Sequence, residues 1–141
     1  MKHFKLHILF LLLLCVSYSY FAQSPKIDKA RIQFITEKLN LEPAVAQKFW
    51  PVYNEYVDKL KSIRHERRKL FKEYNYSNNP AEAEQFLKKY SQLETAEEQL
   101  KLEYIQKFKQ IIGTVKTAHL IRAEEEFRLE LVKLLKSDKP D

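Results

Sequence analysis

Gly113 is the only glycine among the 141 residues, and this scarcity restricts the folds that the chain can adopt. Phosphate-binding loops and dinucleotide fingerprints need several glycines at fixed spacing, and hairpin-rich sheets need them in positive-φ turns. Hydrophobic residues make up 45% of the chain and charged residues 31%, which suits amphipathic helices and is too apolar for disorder throughout. We therefore predict a single-domain, all-α protein.

Residues 1–22 have the three-part layout of a secretory signal peptide. A short basic start is followed by an unbroken apolar run over residues 8–16 and then by small and aromatic residues up to Ala22. We expect cleavage after Ala22, with Ser19 as the second candidate, and a periplasmic mature chain without a transmembrane span. An uncleaved N-terminal anchor is the alternative, although the run is shorter than the roughly 20 residues that span a bilayer.

Cys15 is the only cysteine, and it lies inside this apolar run. Lipidation at Cys15 is a further alternative, but Leu14 stands where a lipoprotein signal has a small residue. Removal of residues 1–22 takes away Lys2 and Lys5, so the formal net charge falls from +6 to +4. If the protein is exported, we expect its positive charge to favour binding to unfolded protein, anionic lipid or an acidic partner surface, and not to nucleic acid.

Four amphipathic helices are predicted within a domain at residues 23–136, with a disordered tail at residues 137–141. The second and third helices have apolar positions at alternating spacings of three and four, which is typical of helices packed side by side. Because both are long and a short turn joins them, we expect an antiparallel hairpin that two shorter helices flank and partly cover. The predicted helical ranges are 26–39, 43–74, 80–112 and 114–135.

The predicted layer is thin and buries little apolar area per residue, so we expect a homodimer. Its aromatic side chains support a dimer because one narrow hairpin cannot hide all of them. The alternative is that the flanking helices cover them in a monomeric bundle. We leave open whether Trp50 belongs to the core or to an interface, and we expect Pro51 to bend the second helix near its start. The aromatic residues concerned are Phe49, Trp50, Tyr53, Tyr56, Phe86, Tyr90, Tyr104 and Phe108.

The mature chain contains no set of residues typical of catalysis or of a metal site. His65 lies among arginines, and His119 has no second His or Cys three or four residues away. The carboxylates at residues 124–126 follow one another, so they point in different directions on a helix and at least two should be solvated. We therefore predict no enzyme activity, no cofactor and no bound metal.

A basic run over residues 59–72 is the main candidate for a binding surface, and only Glu66 opposes its charge. Long Lys and Arg side chains can cover apolar surface while their charged ends stay in water, which gives weak and salt-sensitive binding. The alternative is a solvated face, or ion pairs with acidic residues of the third helix. The candidate contacts are Tyr56, Lys61, Arg64, Arg67 and Arg68, and the candidate ion-pair partners are Glu94, Glu97 and Glu98.

Two segments carry a family resemblance. The first contains Gln47 and then Phe49-Trp50-Pro51-Val52-Tyr53, and the second, at residues 118–128, contains Glu125 and Phe127. Together they resemble the Spy/CpxP-like periplasmic proteins, and within them the Bacteroidetes branch described as sensors of ECF-type sigma factors.

The resemblance implies a Spy-like cradle, all-α and dimeric, that binds other proteins in the envelope stress response. Relatives act as ATP-independent holdase chaperones or as accessory sensors and regulators. The implied partner is either an unfolded or acidic protein segment or a membrane-bound anti-sigma or sensor protein. Because some relatives sense metals, a periplasmic metal-binding sensor or resistance protein is the alternative, although this chain lacks their His-rich segments.

Overall fold

The structure is a computed structural model that describes the backbone of residues 25–137 and the side chains of residues 27–134. This part of the chain is helical, as predicted, with α1 at Pro25–Leu39, α2 at Pro43–Glu73 and α3 at Pro80–Ser137. The predicted signal peptide and Cys15 lie outside the described residues. The predicted tail lies outside them too, except for Ser137, which is the last residue of α3.

Proline residues mark the starts of the helices because a proline at the first helical position removes only an amide that would have no partner there. Pro43 begins α2, and Pro80 begins α3. The Asn79 side chain also caps α3, since its Oδ1 accepts a hydrogen bond from the Ala81 amide at 2.9 Å. Pro51 lies inside α2 and is exposed, and the helix continues through it.

Gly113 interrupts α3, because its φ of 77° and ψ of 165° are not helical. It divides α3 into a long arm at residues 80–112 and a return arm at residues 114–137. The Thr117 hydroxyl donates a hydrogen bond to the Gly113 carbonyl at 2.8 Å and so holds the first turn of the return arm. The return arm comes back beside α2, as the hydrogen bond from Tyr53 to Glu124 shows.

Aromatic pairs set the register between α2 and the long arm. Phe49 packs against Phe108 with ring centroids 5.6 Å apart, and Tyr56 packs against Tyr104 at 5.3 Å. Farther along α2, Phe71 meets a ring that comes earlier in the long arm, that of Phe86, at 5.5 Å. The residue numbers rise on one helix as they fall on the other, so the two run antiparallel.

The return arm and α1 pack on each other and cover one end of this antiparallel pair. Phe34 of α1 contacts Phe127 with ring centroids 5.8 Å apart. The Lys116 ammonium donates hydrogen bonds of 2.8 Å to the carbonyls of Leu39 and Asn40, at the end of α1. These contacts enclose the main core, whose buried members are Ile35, Leu39, Phe49, Tyr53, Leu60, Leu100, Tyr104, Phe108, Ile112, Leu120 and Ala123.

The other end of the antiparallel pair, residues 65–96, has little cover, and we call it the distal half. Leu93 is the only side chain within this range that is buried. Tyr90 is 36% exposed, and Phe86 is half-buried. The predicted alternative is a monomeric bundle in which the flanking helices cover the aromatic rings. It accounts for the rings of the main core but not for those of the distal half.

Candidate functional site

A groove of about 570 Å³ lies between α2, the long arm and the return arm, with Arg31 of α1 at its edge. Its volume falls within the range of about 300–1,000 Å³ that ligand-binding clefts occupy. Ile121 is 51% exposed, so part of the apolar lining is open to solvent. The apolar lining consists of Val57, Leu60, Ile105, Phe108, Leu120, Ile121, Phe127 and Leu131.

Charged side chains around the groove are mostly basic. Four cations and two carboxylates line it, so the lining has a positive balance. Glu125 accepts hydrogen bonds from the Arg128 guanidinium at 2.9 and 2.6 Å, and Glu124 accepts one from Tyr53. Both carboxylates of the groove therefore already have hydrogen-bond donors within the chain. The cations of the groove outnumber these carboxylates. These cations are Arg31, Arg64, Lys101 and Arg128.

Tyr53, Glu124 and Arg31 join three helices at the wall of the groove. The Tyr53 hydroxyl donates a short hydrogen bond to Glu124 Oε1, and Arg31 Nε lies 3.9 Å from Glu124 Oε2. Burial raises the pKa of the Tyr53 hydroxyl well above its ordinary value, and the negative charge of Glu124 raises that pKa further. Tyr53 therefore stays protonated and acts as a hydrogen-bond donor that fixes the return arm.

Glu97 lies at the boundary between the groove and the distal half and is only 5% exposed. Its Oε1 accepts hydrogen bonds from Arg64 at 3.2 and 2.9 Å and lies 3.3 Å from the Lys101 ammonium. Its Oε2 accepts a hydrogen bond of 3.0 Å from Arg67, which also binds Glu94. We call these five residues the ion-pair belt.

Two of the cations around Glu97 determine the direction in which its pKa shifts. Burial of the Glu97 carboxyl raises its pKa, but the hydrogen bonds and charges of Arg64 and Lys101 outweigh this effect. The pKa of Glu97 therefore lies below its ordinary value. The belt has more positive than negative groups, since only Glu94 and Glu97 face Arg64, Arg67 and Lys101.

The five predicted contact residues do not share one surface. Tyr56 and Arg64 line the groove. Arg67 belongs to the belt, and Lys61 donates a hydrogen bond of 2.8 Å to Asp28 of α1. Arg68 is exposed on α2.

Arg64 and Arg67 therefore form ion pairs with acidic residues of the predicted third helix, which is the alternative to a binding surface. Their partners are Glu94 and Glu97, while the third predicted partner, Glu98, is exposed. The groove is a different surface from the free basic face that the run over residues 59–72 suggests.

The residues that carry the family resemblance lie mainly in the core. Phe49 and Tyr53 are buried, whereas Gln47 and Pro51 are exposed. Trp50 is half-buried, and its ring lies edge-on to Phe49 at 5.0 Å and to Tyr53 at 5.5 Å. Trp50 thus packs against the core while part of its surface stays in contact with solvent.

The return arm carries the remaining two residues of the resemblance. Phe127 packs on Phe34, and Glu125 is exposed and binds Arg128. Each of the carboxylates at residues 124–126 has a cationic partner, and Glu124 and Glu125 both line the groove.

Several groove residues could not be singled out from the sequence: Arg31, Lys101, Ile105, Ile121 and Arg128. A partial signal exists in α2 and the long arm, since residues seven apart share one side of a helix. Lys101 and Phe108 form such a pair. The return arm carries the same signal, since Ile121 and Arg128 are seven apart, but the side of α2 that it faces depends on the backbone at Gly113.

Comparison with known proteins leaves the resemblance resting on the quoted residues alone. No family model matches the chain, and no curated protein and no solved structure matches it either. Among the described side chains, no three His, Cys, Asp or Glu residues lie together in a way that could hold a metal ion. No helix within residues 25–137 is long and apolar enough to cross a membrane.

Proposed function

We propose that this chain is an exported envelope protein that binds unfolded or acidic segments of other proteins and performs no catalytic step. It acts as an ATP-independent holdase in the envelope stress response, and the same binding makes it suitable as an accessory sensor. The observation that supports this proposal is the groove, where an open apolar lining is surrounded by more cations than carboxylates. Apolar contact favours unfolded segments, and the excess positive charge favours acidic ones.

The cations suit weak and reversible binding. Their guanidinium and ammonium groups already have carboxylate partners at Glu97, Glu124 and Glu125, so an acidic segment must compete with these partners. The pair of Arg128 and Glu125 is exposed and can exchange partners at little cost, because such a pair is worth only about 0–1 kcal/mol in water, whereas Glu97 is buried and holds its cations more firmly. We therefore expect the affinity for acidic segments to fall as the ionic strength rises.

We propose in addition that the antiparallel pair of α2 and the long arm forms a hairpin and that two copies associate into a Spy-like cradle. Exposed apolar side chains outside the groove and outside the distal half support this association, among them Val115 and Leu129. Sedimentation equilibrium should give twice the mass of one chain. A single-chain mass at micromolar concentration would contradict the dimer and leave the groove as a site within one chain.

The groove is tested by a holdase assay on the purified protein without ATP. The variant Ile121→Ser replaces an exposed groove residue, and Leu102→Ser is the matched control because Leu102 is 54% exposed and outside the groove. The loss of one apolar contact of about 1 kcal/mol corresponds to roughly fivefold weaker binding. We expect Ile121→Ser to need about five times more protein for the same suppression of client aggregation. Equal activity of both variants would contradict the site.

Crosslinking in envelope extracts separates the holdase from a dedicated regulator. A holdase should capture many unfolded proteins, and Ile121→Ser should reduce all of them together. Capture of one membrane-bound sensor or anti-sigma protein, unaffected by unfolding stress, would replace the holdase role with the regulatory one.

A further inference from the structure

The distal half exposes an apolar patch that the groove does not include. Phe71 of α2 and Tyr90 of the long arm meet edge-on with ring centroids 5.9 Å apart, and both contact Phe86. Leu87 lies three residues before Tyr90, so it is a neighbour on the same side of the helix. Phe71 is 55% exposed, Leu87 56% and Tyr90 36%. We call Phe71, Leu87 and Tyr90 the distal patch.

The distal patch lies on the same face of the antiparallel pair as the groove. Residues seven apart repeat on one side of a helix, with a drift of only about 20° per heptad. On α2, Phe71 comes one heptad after Arg64, which lines the groove and binds Glu97.

On the long arm, the same spacing links Leu87, Glu94 and Lys101, and Lys101 also lines the groove and lies beside Glu97. The two helices thus bring the groove, the ion-pair belt and the distal patch into one row.

The spacing of this row follows from helix geometry. Two heptads separate Val57 in the groove from Phe71, which at 1.5 Å per residue is about 21 Å along α2. An extended chain advances about 3.3 Å per residue, so roughly six residues cover this distance. The ion-pair belt lies between the two apolar sites and has three cations but only two carboxylates.

We propose that the distal patch is a second subsite for the protein segment that the groove binds. The ligand is an extended segment with two apolar stretches centred about six residues apart and with acidic residues between them. One stretch occupies the groove, the other covers Phe71, Leu87 and Tyr90, and the acidic residues face the belt. This inference rests on the proposed function because it assigns a second contact to the same ligand.

Charge and geometry favour this ligand over an apolar surface without charge. A ligand that covers both apolar sites must cross the belt, where an uncharged or basic linker would desolvate cations without replacing their interactions with water. Acidic residues in the linker instead balance the one positive charge by which the cations of the belt exceed its carboxylates. Two linked contacts also raise the affinity through effective concentration, provided that the linker spans the gap.

Fluorescence anisotropy with labelled peptides tests the proposal. The probe has two apolar stretches of three residues centred six residues apart, with Asp and Ser between them. Its controls are a peptide whose second stretch is replaced by Ser and a peptide whose stretches are centred three residues apart. We expect the probe to bind at least tenfold more tightly than either control.

Protein variants locate the second contact. Phe71→Ser and Leu87→Ser should each lower the affinity for the probe about fivefold and leave the affinity for the single-stretch control peptide unchanged. Tyr76→Ser is the matched control outside the patch, because Tyr76 is 90% exposed in the turn before α3, and it should change neither affinity.

Three results overturn the inference, and each has a separate meaning. Equal affinities of the probe and its controls, or no effect of Phe71→Ser and Leu87→Ser, would show that the distal patch binds no ligand segment. Loss of dimer mass in these variants, with unchanged peptide affinity, would assign the patch to a second copy of the chain. Failure of all peptides to bind even the unmodified protein would instead overturn the proposed function itself.

Discussion

Replacement of Gly113 by alanine should destabilise the fold, and the structure indicates by how much. Gly113 has a φ of 77° and a ψ of 165°, a conformation that only glycine adopts readily. A side chain forced into such a region costs about 1–3 kcal/mol. Apart from Gly113, its two neighbours and the adjacent helix backbone, no heavy atom of the described residues lies within 4 Å of the place where a Cβ would be, so the backbone conformation alone sets the cost.

A second effect partly offsets this cost. Alanine restricts the unfolded chain more than glycine does, which is worth about 0.4–1 kcal/mol in favour of the folded state. The free energy of unfolding of Gly113→Ala should therefore fall by about 1–2 kcal/mol in net terms. Urea denaturation followed by circular dichroism at 222 nm measures this change.

Thr114→Ala is the matched control, because Thr114 is exposed and helical and lies next to the break. We expect its free energy of unfolding to stay within about 0.5 kcal/mol of the unmodified protein. A variant Gly113→Ala that is as stable as Thr114→Ala, or more stable than the unmodified protein, would refute the reasoning. The long arm and the return arm would then form one continuous helix in solution, and the groove would lose its third wall.

Three further substitutions test the contacts that hold the groove and the helix ends. Glu97→Gln should lower the free energy of unfolding by about 1–3 kcal/mol, because three cations lose their carboxylate, while Glu98→Gln at the exposed neighbour should not. Since the pKa of Glu97 is lowered in the folded state, its contribution is present above the ordinary carboxyl pKa of about 4.3 and is lost as the pH falls below it. Denaturation between pH 3 and pH 7 should show a larger loss in the unmodified protein than in Glu97→Gln, where only the other carboxyls with lowered pKa values, such as Glu125 and Glu126, still contribute.

Tyr53→Phe should cost about 1–3 kcal/mol through the lost hydrogen bond to a carboxylate, with Tyr76→Phe as the exposed control. Because the folded pKa of Tyr53 is raised, its contribution is complete below the ordinary tyrosine pKa of about 10 and is lost above it, so an equal alkaline loss of stability in Tyr53→Phe would contradict this reasoning. Asn79→Ala should cost about 1 kcal/mol, because it removes the cap of α3; an unchanged denaturation midpoint would show that the cap is not formed in solution.

The sequence predicted the helices because their ends depend on local chemistry. Pro43 and Pro80 restrict the backbone where a helix begins, and Asn79 supplies a cap that needs no distant partner. The break at Gly113 was also predicted, since the lone glycine lies between two apolar series. The alternating spacings indicated an apolar side on α2 and on the long arm, and Phe49, Tyr53, Tyr104 and Phe108 are buried.

The candidate site was harder to predict because it depends on directions that no local pattern records. The basic run suggested a binding face, yet its Arg64 and Arg67 turn towards Glu97, while the groove takes further cations from α1, the long arm and the return arm. Arg31 and Arg128 are far apart in sequence, and only the angle of the chain at Gly113 decides that both reach one cleft.

The hydrogen bonds from Lys116 to the carbonyls of Leu39 and Asn40 connect the first helix to the last arm of the chain. Since α1 also packs on the return arm through Phe34 and Phe127, the two terminal segments should open and close as one cooperative unit. A protease that cuts near Gly113 would therefore free the return arm and remove the packing partner of α1, while residues 40–42 still join α1 to α2.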